Sequence, residues 1–253
     1  LTQVWNAVPA WLERRRALAG RSIGFVPTMG ALHRGHASLV ERCRRENEIT
    51  VVSIFVNPSQ FNDPQDLDRY PRTVDRDLAL LESLGAGDVI LPTAAELYPN
   101  GYRFRVEPDR GVLVLEGAHR PGFLQGVMTV VLKLLHLVRA DRAYFGEKDY
   151  QQLQVVTEMA REFFLTTEIV SCPTVREESG LAMSSRNSLL SPAGRDRAAH
   201  LFQALTTAAD PAEARAMLAA QGFQVEYVEE RWGRRLAAAF LEGVRLIDNV
   251  PVH

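Results

Sequence analysis

Two histidines three residues apart, His33 and His36, lie in the stretch PTMGALHRGH, Pro27 to His36, with Gly30 and Gly35 among them. At the first turn of a helix that spacing puts two imidazoles on one side. Free backbone N–H groups and the positive end of the helix dipole lie beside them. Glycine lets the main chain come close to a ligand. Together these features suit hydrogen-bond donation to a phosphate. Two histidines without these neighbours would equally suit a tight turn at the surface.

Four other stretches carry chemistry of the same kind. In FVNPSQF, Phe55 to Phe61, the Gln60 amide both donates and accepts, which suits a hydroxy acid; Asn57-Pro58 also reads as a turn ending a strand. In GEKDYQQL, Gly146 to Leu153, the Lys148 ammonium suits a polyphosphate and the Asp149 carboxylate suits ribose hydroxyls, or the pair simply opens a helix. Lysine is scarce: of 29 basic residues only Lys133 and Lys148 are lysines, which favours a need for a compact ammonium at Lys148. MSSRN, Met183 to Asn187, offers two hydroxyls and a guanidinium for phosphates that gain charge, in a composition that a polar linker shares. TVDRDL supplies Asp75 and Asp77, the carboxylate type that Mg²⁺ takes beside phosphate oxygens and that a helix N-terminus also favours.

These side chains must be held by a scaffold, and the pattern predicts one. SIGFVP (22–27) and ITVVSIFV (49–56) are short, apolar, β-branched runs, as in parallel strands buried on both faces. Between them Ala37, Leu39, Val40 and Cys43 recur at helical spacing. Further helices are expected over 73–85, 126–140 and from Tyr150, and further strands at 88–92, 142–146 and 166–172. Strand and helix alternate, so the fold class is α/β, a doubly wound, Rossmann-like parallel sheet. Loops at the carboxyl ends of such strands bind ligands, and PTMGALHRGH, FVNPSQF and GEKDYQQL all follow strands. After Pro173 the pattern changes: a polar loop, a helix from about Pro192, a helix over 211–221 and three strand-like pieces. The expected domains are 1–174 and 175–253, the second a smaller α+β lid with MSSRN at the junction.

A formal net charge of -2 over 253 residues gives no footprint for nucleic acid or an anionic membrane. No apolar run approaches the ~20 residues that span a bilayer. The opening segment, with Pro9 in its apolar part and arginines after it, does not read as a signal peptide. Two cysteines, Cys43 and Cys172, make no disulfide framework, and a reduced cytoplasmic compartment is expected.

PTMGALHRGH resembles the HxGH signature of the nucleotidyltransferase superfamily in the form carried by pantothenate synthetases (pantoate–β-alanine ligases). FVNPSQF, YPRT (70–73), FGEKDYQQL and MSSRN point to the same family in the same order. The likeness is close over about 1–205 and weak in the tail, where RLIDN is the main point of contact and the length falls short of the family's usual lid. The resemblance implies ATP-dependent condensation of (R)-pantoate with β-alanine through a pantoyl adenylate, with ATP and Mg²⁺ present. It implies catalysis by His36, His33 and Lys148. ATP would be bound by Met29, Gly30, His33, His36, Gly146, Lys148, Asp149, Val175, Met183, Ser184, Ser185 and Arg186, where MSSRN is the counterpart of the KMSKS loop. Pantoate would be bound by Gln60, Gln152, Val130 and Val131, the valines fitting a core equally, and Asp77 is the candidate Mg²⁺ ligand. The partners implied are these small molecules and a second copy of the chain in a homodimer, with no nucleic acid and no membrane. Where the family commonly has a histidine before its long central helix, this chain has Phe123, with His119 nearby. The same motifs admit another HxGH nucleotidyltransferase or a non-catalytic nucleotide-binding protein.

Overall fold

The computed structural model describes residues 2–252, less the side chain of Arg110. The chain divides into two compact units, one of residues 1–146 and 151–172, the other of 147–150 and 173–253. Glu147–Tyr150, placed with the first domain by the sequence pattern, thus groups with the second.

The first unit opens with β1 (Gln3–Trp5) and α1 (Val8–Ala17), and the first long strand is β2 (Ile23–Thr28). Next come α2 (Arg34–Glu46), β3 (Ile49–Ile54), α3 (Pro64–Arg69), α4 (Val74–Ser83) and β4 (Asp88–Ile90). Two short helices, α5 (Ala94–Leu97) and α6 (Glu116–His119), precede the long α7 (Phe123–Val138). The unit closes with β5 (Arg142–Gly146), α8 (Tyr150–Glu162) and β6 (Glu168–Cys172). All pairings are parallel, in the order β1-β4-β3-β2-β5-β6. The strand order reverses between β2 and β5, so their carboxyl ends flank the crevice where a doubly wound sheet binds ligands.

The β-branched runs form strands because both faces are covered. Val26, Val40, Cys43, Val52, Leu81, Val89 and Tyr144, all fully buried, fill one side under α2 and α4. Each such aliphatic side chain contributes ~1.5–3 kcal/mol relative to exposure. Elsewhere α1 and α7 are tied by the Trp11 indole, which donates to the Leu137 carbonyl at 3.0 Å. The α7 helix begins three residues before its expected start, because Gly122, with φ +83°, makes the turn and Phe123 and Leu124 are already buried.

The opening strand and helix, which the pattern did not reveal, are fixed by Asp88 at the start of β4. Its carboxylate accepts from the Trp5 indole at 2.7 Å and from Arg14 at 3.0 and 3.2 Å.

The second unit contains α9 (Pro192–Ala198), α10 (His200–Thr207) and α11 (Pro211–Ala220), followed by an antiparallel meander of β7 (Gln224–Arg231), β8 (Arg234–Leu241) and β9 (Val244–Pro251). The helix expected from Pro192 is two helices. Leu201, Leu205, Leu218, Ala237, Ala239, Leu246 and Val250 form the core. Arg235, only 5% exposed, donates to the carbonyls of Leu205, Ala208 and Ala209 where α10 ends. Among the described residues no helix is long and apolar enough to cross a membrane.

Candidate active site

At the end of β2 the chain is held by a carboxylate from α4. Thr28 Oγ1 donates to the Ser53 carbonyl at 2.7 Å and accepts from Gly30 N at 3.2 Å. Gly30 has φ +81° and Ala31 φ +50°, successive left-handed residues that turn the N–H groups of Ala31 and Leu32 onto Asp77 at 2.9 and 2.8 Å. A side chain at Gly30 would meet Asp77 Oδ2 and Ile54 Cγ2 at 3.0 and 3.1 Å. Thr73 Oγ1 also donates to the Asp77 carboxylate, and Asp77 is 1% exposed. Asp77 is therefore a loop anchor that accepts from three protein donors, an arrangement that does not favour the Mg²⁺ role expected of it. Among the described residues no cluster of three His, Cys, Asp or Glu side chains offers a metal site.

The two histidines form a reciprocal cap on α2. Gly35 N donates to His33 Nδ1 at 3.1 Å, and His33 N donates to His36 Nδ1 at 3.3 Å. Their rings lie 4.1 Å apart, tilted by 39°. With both Nδ1 atoms accepting backbone protons, each neutral ring carries its own proton on Nε2, so both present a donor of fixed tautomer.

After β3, Asn57, 1% exposed, organises the turn that carries Gln60. Its Nδ2 donates to Gln60 Oε1 at 3.0 Å and to the Gly126 carbonyl at 3.2 Å. Its Oδ1 accepts from Ser59 Oγ at 3.0 Å and from the Tyr98 hydroxyl at 2.8 Å. Burial pushes the Tyr98 hydroxyl up to about 12, against the pull of its bonds to Ser59 and Asn57, so it remains a donor at neutral pH. Gln60 Nε2 then lies 3.1 Å from Met29 Sδ. Gly126 is obligatory here: a Cβ on it would come within 2.3 Å of the Ser59 carbonyl oxygen. Asn57 and Tyr98 were missed as site-building residues. The Asn-Pro after a strand was visible, but its long-range partners were not.

The remaining first-unit candidates divide clearly. Gln151 is buried, accepts from Glu116 N at 2.9 Å and donates to the Val114 carbonyl at 2.7 Å, so it holds the 112–116 segment. Gln152 is half-buried, and its amide bonds to no protein group among the described residues. Val130 and Val131 are both 5% exposed within α7. Gly146 is the last residue of β5. Phe123 is buried under the Arg120 guanidinium, 3.7 Å above its ring, so an apolar side chain is accommodated where the family's histidine is usual. His119 is exposed at the end of α6.

In the second unit, a 3₁₀ turn over Glu147–Asp149 carries Lys148, whose Nζ lies 3.7 Å from Asp149 Oδ2. Val175 and Met183 face each other across a hairpin, Met183 N donating to the Val175 carbonyl at 2.9 Å. MSSRN is not an irregular loop. Ser184 caps a 3₁₀ helix over Ser185–Leu189 by accepting from Arg186 N at 3.2 Å, and Asn187 is buried, bonding Glu177 and the Ala182 carbonyl. Burial would raise the Glu177 carboxyl, but hydrogen bonds from Arg195 and Asn187 hold it below the usual carboxylate range. Buried Cys43, by contrast, is pushed up to about 12, chiefly by burial, and is no nucleophile at neutral pH.

A doubly wound sheet, a histidine-capped helix after its first central strand and an oriented glutamine after the next define an α/β nucleotide-binding enzyme. Comparison narrows this. Residues 2–251 match the family described as pantoate-beta-alanine ligase. A pantothenate synthetase from Bdellovibrio bacteriovorus is 49% identical over 252 residues, covering 100% of both chains. One from Legionella pneumophila is 48% identical over 98% of both. Among solved structures, the pantoate-beta-alanine ligase of Francisella tularensis, complexed with beta-gamma ATP and beta-alanine, superposes with a TM-score of 0.95 at 37% identity, over 99% of this chain and 98% of that one. Pantothenate synthetase from Thermus thermophilus gives a TM-score of 0.90 at 42% identity over 99% of each. The chain belongs to the pantoate–β-alanine ligase family and is an enzyme of that activity. The match runs through the tail, correcting the expectation that likeness fades after about residue 205. The tail's signature is strand alternation, which single motifs do not register.

Proposed function

We propose that the chain joins pantoate to β-alanine in two steps, with the residues above in the following roles. A carboxylate oxygen of pantoate attacks the α-phosphorus of ATP, and the bond to pyrophosphate breaks, leaving pantoyl adenylate. The β-alanine amine then attacks the acyl carbon. AMP leaves with the bonding electrons, and the amine proton passes to solvent. No protein nucleophile is required. The observation that carries this reading is the reciprocal His33–His36 cap, which fixes two neutral Nε2–H donors for charge that develops on phosphate oxygens.

In this reading Met29, Gly30, Gly146, Lys148, Asp149, Val175, Met183, Ser184, Ser185 and Arg186 bind ATP, with Lys148 and Arg186 countering phosphate charge. Gln60, oriented by Asn57, and Gln152 bind the hydroxyls and carboxylate of pantoate beside Val130 and Val131. With the Asp77 carboxylate engaged by three protein donors, Mg²⁺ enters with the triphosphate as part of the substrate. A cytoplasmic homodimer completes the proposal, consistent with two buried free thiols.

The test is pantoate-dependent exchange of pyrophosphate into ATP. Exchange that requires pantoate and not β-alanine is expected. Exchange without pantoate, or none until β-alanine is added, would refute the adenylate route.

A further inference from the structure

The second unit buries an amide in its meander that the roles above do not use. Asn249 on β9 is 1% exposed, opposite Leu236 on an otherwise Ala- and Leu-rich stretch of β8. An unpaired carboxamide there would be costly, and an aliphatic side chain would serve the core better. Asn249 is fully engaged instead. Its Nδ2 donates to the Glu147 carbonyl at 2.9 Å and to the Lys148 carbonyl at 3.0 Å, while its Oδ1 accepts from Arg234 Nε. The same guanidinium lies 3.5 Å from the Glu147 carboxylate and 4.6 Å from the centre of the Tyr150 ring. Asn249 and Arg234 thus hold the Lys148 turn from its carbonyls, its flanking carboxylate and its flanking ring.

We propose that Asn249 is a positioning residue for Lys148. It fixes the two peptide groups from which the Lys148 side chain departs, so that the ammonium meets the phosphates without reorganising. This rests on the reading of Lys148 as a phosphate ligand. Neighbouring Asp248 does the parallel task on the other face of β9, pairing Arg176 at 2.6 and 3.0 Å at the base of the 175–183 hairpin. One two-residue segment, Asp248-Asn249, therefore anchors both the lysine turn and the hairpin that leads into MSSRN.

The experiment is a double-mutant cycle on pyrophosphate exchange. Asn249→Ala removes both donors and the acceptor. Asn249→Asp keeps an acceptor for Arg234 but sets an oxygen against the two carbonyls, and serves if the alanine variant does not fold. Each is made with Lys148 and with Lys148→Ala. Misplacing a catalytic group costs on the order of 10- to 100-fold, so the kcat of exchange should fall by about that factor while KM for ATP changes less than threefold or so. In the Lys148→Ala background the same substitution should add less than about threefold, because the group it positions is gone. An equal loss in both backgrounds would overturn the proposal and leave Asn249 a packing residue. Lys148→Ala within a few-fold of the parent would instead overturn the phosphate role of Lys148, and the proposal with it.

Discussion

Replacing Asp77 by alanine should unsettle the loop that carries the histidine cap, and the size of the effect follows from its hydrogen bonds. The carboxylate accepts from Ala31 N and Leu32 N at 2.9 and 2.8 Å and from Thr73 Oγ1. Hydrogen bonds to a charged group contribute about 1.5–3 kcal/mol each, and a buried donor left unpaired costs about 1–3 kcal/mol. Leu32 is buried, Ala31 is half-buried, and Thr73 can turn to water, so roughly two such bonds count. The expected destabilisation is about 3–5 kcal/mol, or a melting point lower by about 10 °C for a chain of this size. Asp77→Asn keeps one acceptor and turns an N–H₂ toward a donor, so it should lose a comparable amount while preserving volume. Urea or thermal denaturation measures the loss, and pyrophosphate exchange titrated with Mg²⁺ runs beside it. Stability within about 1 kcal/mol of the parent, together with a steeply raised Mg²⁺ requirement, would refute the anchor and restore Asp77 as a metal ligand.

Four shorter predictions follow from the site. Lys148→Ala should slow adenylate formation by at least ~10²-fold in single-turnover assays without altering the fold. His36→Ala should depress exchange far more than ATP binding, and should spare AMP release from supplied pantoyl adenylate; equal damage to both half-reactions would make the residue structural. Gln60→Ala and Gln152→Ala should raise the KM for pantoate steeply with ATP affinity unchanged by calorimetry, and Asn57→Ala should copy Gln60→Ala while also lowering stability, because it frees the Gln60 amide. Glu177, whose carboxyl is held against its burial below its ordinary value by hydrogen bonds from Arg195 and Asn187, stabilises the 175–187 segment fully above the unfolded carboxylate range, and that contribution is lost as pH falls through its lowered folded value. Glu177→Gln should therefore flatten the acid limb of the pH–stability curve.

What could be read from the chain, and what could not, divides by the range of the interaction. The parallel sheet was legible because strands buried on both faces write continuous β-branched runs, and the α2 and α7 helices because their apolar spacing is long and regular. The opening Gln3–Trp5 strand is too short to show a period, and its partners, the β4 strand and the Asp88 carboxylate, lie more than eighty residues on. At the site, motif residues such as His33, His36 and Gln60 were visible as types in a pattern. The contacts that hold them were not: apart from the local Asn57–Gln60 bond, Asp77, Asn57, Tyr98 and Asn249 act over 41 to 102 residues of chain. Asp77 was seen as a carboxylate near phosphate-binding motifs, but the Ala31 and Leu32 N–H groups that it accepts from were not legible in the chain. Phe123 carried no signal of the guanidinium that covers it.

Where the sheets stop is also a property of the molecule. An outermost strand displays a row of unpaired backbone donors and acceptors, a template on which another chain can polymerise. The parallel sheet ends on one side in β1, only three residues long, and on the other in β6, whose Ser171 carbonyl is taken by Arg42 at 2.7 Å. In the meander, β7 is bulged between Val225 and Tyr227 and carries Glu226, Glu229 and Glu230, while β9 ends at Pro251, which has no N–H to give. None of the four margins offers a long, flat, uncharged edge. Ribbon-like lateral growth is thereby discouraged in the folded state.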